Sequence, residues 1–157
     1  MNMDDLTLAQ LLSGLPEAPT AADYRGAALK ILPYIQANVP PMGEGQSIAR
    51  LGFLTTVASK DLGLARLIEG HLDATQILRE AGRPVEDGKL YGIWASGGPA
   101  DSSELIESAA GNGNAGLTGS KPFCSGSDIV DRALIYIYPA EQLVDVNMQD
   151  TGSRKCL

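Results

Sequence analysis

A change of texture near Pro84 constrains this chain more than any other feature. Before it, apolar residues recur at helical spacing. After it, Gly, Ser, Asn and Pro become dense and period-two alternation takes over. Leu54, Val57, Leu64, Leu67, Ile68, Leu72 and Leu78 belong to one long stripe between Ile48 and Ala81. Gly52, Gly63 and Gly70 each weaken that stripe, by about 1 kcal/mol relative to Ala. The spacing predicts two helices with a break near Lys60 to Gly63, capped by Ser59 or Asp61, and Gly82 with Pro84 ends the second. Helices followed by strands argue an α+β fold rather than alternating βαβ units.

Upstream, Leu6, Leu8, Leu11, Leu12 and Leu15 suggest a short amphipathic opener stopped by Gly14 and Pro16. Thr20 caps a second helix with Asp23 in its first turn, and Pro33 is expected to kink or end it. Asn38 to Gly45 reads as a loop. Downstream, Leu90 to Ala95 reads as a strand and Ser96 to Ser103 as a loop. Glu104 to Ser108 reads as a strand or a helical turn, GNGNAG as a turn, Leu117 to Ser120 as a short strand, and Ala133 to Tyr138 as a strand. The expected organisation is a helical unit over residues 1–86, a small, incomplete antiparallel β-domain over 87–146, and an irregular tail over 147–157. No internal repeat is visible.

The 157 residues carry a formal charge of -7 and no basic run, which argues against a nucleic-acid surface. No apolar run approaches the roughly 20 residues that span a bilayer, so no membrane partner is expected. Asp4 and Asp5 stand where a secretory leader would be basic, and Cys124 and Cys156 form no CxxC pair. The expected setting is reduced and cytoplasmic.

Few single residues point to chemistry by themselves. His71, the only histidine, falls on the apolar stripe and reads as a packing residue, and the sequence holds no metal motif. Cys124 reads as a small thiol beside a ligand rather than a nucleophile, since His71 is the only imidazole available to it. Glu104 and Glu107 are the nearest candidates for a base, in a segment that reads as solvated. The loop SGGPADSS matches neither GxxxxGK[ST] nor a helix-opening GxGxxG, so alone it reads as a turn. The segment KPFCSGS is more informative. It sets an aromatic, a thiol and a hydroxyl in a row at Phe123, Cys124 and Ser125, with a strand to follow.

Read together, GIWASGGPADSS and KPFCSGS followed by DRALIYIY resemble two motifs of the acyl-CoA dehydrogenase family, within a likeness that runs from about Gly45 through Asp145. That family has a helical N-terminal domain, a middle β-domain and a C-terminal four-helix domain. Its T-E-P-G-x-G-S-D loop touches flavin and substrate. Here Trp94, Ala95 and Ser96 enter the matching stretch, and Asp101 or Ser102 falls near its end, Ser102 being the substrate-side candidate. The motif's Thr and Glu are absent, and Ala95 offers only main-chain groups. The second motif is a Lys or Arg, an apolar residue and W-I-[ST]-N. Phe123 stands in place of the Trp that lies against the flavin, Cys124 in place of the Ile, and Ser125 in the [ST] place that bonds the N5 edge of the ring.

The resemblance implies FAD as cofactor, an acyl-CoA-like small molecule as partner, and CH–CH oxidation of an acyl thioester. In the family a Glu of the C-terminal domain removes the α-proton. The residues here correspond to the N-terminal domain and part of the middle one. A truncated or split protein is therefore implied, inactive until a C-terminal domain or a homo-oligomer partner completes it. Two other functions stay open: a non-catalytic binding or interaction module derived from that family, and a flavin-dependent monooxygenase of the same fold.

Overall fold

A computed structural model describes residues 7–43, 45–96, 103–107, 115–138 and 140–149. Four helices precede five short strands: α1 (Leu8–Leu12), α2 (Ala21–Asn38), α3 (Ser47–Ala58) and α4 (Leu62–Glu80), then β1 (Tyr91–Trp94), β2 (Glu104–Glu107), β3 (Ala115–Thr118), β4 (Arg132–Ile137) and β5 (Gln142–Asn147). The fold is α+β.

Local chemistry sets the helix ends. Thr20 Oγ1 accepts from the Asp23 N–H at 3.3 Å and the Thr20 N–H donates back to the Asp23 carboxylate at 2.8 Å, a reciprocal cap for α2. Asp61 caps α4 by accepting from the Leu64 N–H at 2.7 Å. At the other end, Gly82 takes φ +64°, its N–H donates to the Arg79 carbonyl at 3.0 Å, and the Arg83 N–H donates to the Leu78 carbonyl at 2.8 Å. That paired closure needs a left-handed residue, which glycine adopts without Cβ strain.

Of the two outcomes the sequence left open at Pro33, a kink or an end, the structure excludes the end. The helix runs through it to Asn38, although proline has no N–H to donate. Ile31, Leu32 and Ile35 are buried on both sides of the proline, and their burial, about 1.5–3 kcal/mol each, outweighs one missing hydrogen bond.

Helix α4 is the axis of the molecule. Leu64, Leu67, Ile68 and Leu72 enter one continuous core with Ala28, Ile31 and Ile35 of α2, Phe53 and Val57 of α3, Trp94 of β1, and Ala133 and Ile135 of β4. The helices and the sheet therefore share a core. A smaller cluster joins Ala74 and Leu78 to Tyr91 and Leu134.

The main sheet has the order β1-β4-β5. It is mixed rather than antiparallel throughout: β4 and β5 are antiparallel, but β1 and β4 run parallel, Tyr91 opposite Arg132 and Trp94 opposite Ile135. A parallel pair needs a long crossover, and residues 95–131 supply it, with β2 and β3 forming an antiparallel pair of their own. Strand β5 extends the sheet where no strand was expected, and the residues after Gln149 lie outside the described set.

Asp131 locks the parallel pair. Its carboxylate accepts from the Leu90 N–H at 2.9 Å and from Arg25 of α2 at 2.7 Å, and its own N–H donates to the Leu90 carbonyl at 2.8 Å. Arg25 also donates to the Ile129 carbonyl, so α2, the start of β1 and the start of β4 meet on one buried carboxylate.

Candidate functional site

The last residue of β1, Trp94, is 4% exposed and donates its indole N–H to the Ser125 carbonyl at 3.1 Å. This bond joins the exit of β1 to the loop that precedes β4. The loop is drawn tight: the Ile129 and Val130 N–H groups donate to the Gly126 carbonyl at 2.8 and 3.0 Å, and the Ser127 N–H donates to the Cys124 carbonyl at 3.2 Å. Gly126 takes φ +73°, and a Cβ there would lie 2.4 Å from Leu67 Cδ2 of α4, so only glycine lets the loop sit down on the helix. Lys121 Nζ donates to the Tyr136 carbonyl at 2.7 Å, which pins the loop to β4.

Between this loop and α4 lies an open groove of about 840 Å³. Trp94, Ala95, Ser96, Phe123 and Ser125 line one side of it. Arg66, Glu69, Asp73 and Gln76, at helical spacing on α4, line the other, with Ile77, Ile93 and Met42 adding apolar surface. Arg66 to Ile77 spans about 16 Å of helix. Two ion pairs fix charges in the α4 wall: Arg66 with Glu69 at 3.0 Å, and Asp73 with the buried Arg50 of α3 at 2.7 Å.

Phe123 carries two unfavourable features at one position. Its backbone takes φ +60° and its side chain is 82% exposed at the groove. The left-handed backbone costs about 1–2 kcal/mol for a residue with a Cβ, and the exposed ring leaves its apolar surface in water. Ser125 is exposed beside it, and its hydroxyl has no hydrogen-bond partner among the described residues.

Five of the residues singled out from the sequence thus meet at one groove: Trp94, Ala95, Ser96, Phe123 and Ser125. Cys124 does not join them. Its Sγ donates to the Lys121 carbonyl at 3.2 Å and its side chain packs against the core, because successive residues of this loop point in different directions. Ser102 lies outside the described residues. Glu104 and Glu107 occupy the two ends of β2, paired with Thr118 and Ala115. The α4 wall and Met42 escaped the sequence reading. The wall's only signal is the polar face of a helix, which looks the same whether it meets water or a ligand, and Met42 lies in a loop.

Comparison with known proteins returns no match: no family model fits the chain, and no curated protein or solved structure matches it.

His71 is a packing residue, as its place on the apolar stripe suggested. It is buried, and its Nδ1 accepts the Tyr91 N–H at 3.2 Å, tying α4 to the first residue of β1. The proton therefore sits on Nε2. Burial, with the positive charges of Arg79 and Arg50, holds its pKa down to about 4. Among the described residues no helix is long and apolar enough to cross a membrane.

Proposed function

We propose that the groove holds the isoalloxazine ring of a flavin, and that this chain is the flavin-facing part of an acyl-CoA dehydrogenase-type oxidoreductase. One observation carries the reading. Phe123 and Ser125, which the resemblance assigns to the ring's face and its N5 edge, line the same groove as Trp94, Ala95 and Ser96 from the other family-like motif. The two segments are about thirty residues apart in sequence and share no local reason to meet.

The residues present fit such a group. The exposed Phe123 ring supplies a face on which a flat heterocycle stacks, and stacking there takes its apolar surface out of water. The Ser125 hydroxyl is available as a donor within the same groove. Trp94 serves as a packed backing whose N–H fixes the Ser125 main chain. Bound flavin would supply the two-electron redox chemistry, and the protein's part is to orient the ring and exclude water from one face. The family assigns proton removal to a Glu of its C-terminal domain, so thioester oxidation requires that Glu, and the role proposed for the described residues is flavin binding.

The test is titration of the purified chain with FAD and, in parallel, FMN. Flavin fluorescence and the emission of Trp94, the only tryptophan, are followed together. Saturable quenching of both signals is expected, with weaker binding in Ser125→Ala. No binding of either flavin up to about 1 mM would end the proposal.

A further inference from the structure

The end of the groove at Met42 is shaped by a segment that belongs to no helix or strand. Residues Val39 to Gly43 leave α2 through two prolines and reach Met42, whose side chain is 42% exposed and lines the groove. Gly43 takes φ +97° and Gly45 φ +77°, and a Cβ at either would meet nothing. Packing therefore does not demand these glycines. Their backbone does: both take a left-handed conformation that residues with a Cβ rarely adopt.

The segment is tied to α4 by one side chain. The Met42 N–H donates to Gln76 Oε1 at 3.2 Å and Gln76 Nε2 donates to the Met42 carbonyl at 3.4 Å. A single amide thus grips both main-chain groups of Met42, as a neighbouring strand would. Gln76 is itself steadied by Glu80, one turn on, at 2.7 Å. The two grips on Met42 are long and exposed, so they sit at the weak end of the molecule's hydrogen bonds.

We propose that Val39 to Gly43 is a strap over one end of the groove and that Gln76 is its latch, so that access to that end is set by whether the Gln76 amide holds Met42. Pro40 and Pro41 stiffen the arm, and the two exposed bonds from Gln76 hold its Met42 tip at the groove that Ile77 and Ile93 also line. The mechanics stand on these contacts alone. Only the identity of what the strap admits rests on the flavin proposal above.

The experiment is amide hydrogen exchange at Met42 in the wild-type chain, in Gln76→Ala and in Glu80→Ala, combined with acrylamide quenching of Trp94. Gln76→Ala should speed exchange at Met42 by roughly fivefold, the effect of losing about 1 kcal/mol of hydrogen bonding. Protection within α4 and β1 should not change, and quenching of Trp94 should increase. Glu80→Ala leaves the Met42 contacts in place and should change Met42 exchange far less. With FMN as probe, Gln76→Ala should raise the association rate by a factor similar to that on Met42 exchange. Equal Met42 exchange in wild type and Gln76→Ala would overturn the latch. Faster exchange with unaltered Trp94 quenching and an unaltered FMN association rate would overturn the strap. A wild-type chain that binds no FMN would count against the flavin proposal alone, since Met42 exchange and Trp94 quenching still judge the strap.

Discussion

The indole N–H of Trp94 reaches the carbonyl of Ser125 across 3.1 Å, and this bond makes a single wall out of two segments that the chain separates by a long crossover. The donor is nearly buried at the end of β1, and the acceptor belongs to an exposed residue at the groove. Trp94→Phe keeps an aromatic ring but removes the donor. The expected loss is about 1 kcal/mol of stability by urea unfolding, with a larger fractional loss of flavin affinity because the Ser125 main chain is no longer fixed.

Phe123 should separate stability from binding. Asn tolerates the left-handed region, so Phe123→Asn relieves backbone strain at φ +60° and should hold stability constant or raise it by up to about 1 kcal/mol. The same change removes the stacking face, and flavin affinity should fall about tenfold. Parallel urea unfolding and flavin titration check the opposite signs. A destabilised variant would mean that the ring packs within the fold rather than serving the groove.

Gly126→Ala should be among the most damaging small changes. The new methyl meets Leu67 Cδ2 at 2.4 Å on a backbone at φ +73°, and the two effects together should cost about 2–4 kcal/mol. Adding Leu67→Ala makes room for the methyl but does nothing for the dihedral. The double variant should therefore recover only part of the Gly126→Ala loss, beyond what Leu67→Ala itself costs in a double-mutant cycle read by thermal unfolding.

His71 makes stability depend on pH with a definite sign. Its pKa is about 4 when folded against 6.5 for the free side chain, so the unfolded chain takes up the proton first. The His71 contribution should be flat above pH 6.5, fall as pH drops from 6.5 towards 4, and level off below, with a total amplitude of about 3 kcal/mol. His71→Asn retains an acceptor for the Tyr91 N–H without a titrating ring. Subtracting its urea-unfolding profile from the wild-type profile isolates the effect, and identical profiles would refute it.

Asp131 and Arg25 should respond unequally although they form one ion pair at 2.7 Å. Asp131 is 3% exposed and also receives the Leu90 N–H, so Asp131→Asn should cost about 3 kcal/mol by urea unfolding. The Arg25 side chain is about one-third exposed, so Arg25→Ala should cost less, about 1–2 kcal/mol. A larger loss for Arg25→Ala would contradict the account of Asp131 as the hub of the parallel pair.

Features set within a few residues were legible in the order of the amino acids. The stripe from Leu64 to Leu78 marked the buried face of α4, Thr20 with Asp23 marked one helix start and Ser59 or Asp61 another, Gly82 marked a stop, and the β-prone runs at Tyr91 and Ala133 marked strands. These follow from short-range sterics and periodicity, which the chain carries locally. Pro33 left a kink or an end open, and the helix does not end there because the local penalty is smaller than the burial of Ile31, Leu32 and Ile35 around it. Long-range packing settled the rest: β1 lies parallel to β4, Cys124 turns into the core while Phe123 and Ser125 turn out, and Arg66 to Gln76 faces a groove rather than open water. Each of these depends on burial shared between segments far apart in the chain, where one buried carboxylate at Asp131 or one missing Cβ at Gly126 sets the register of everything around it.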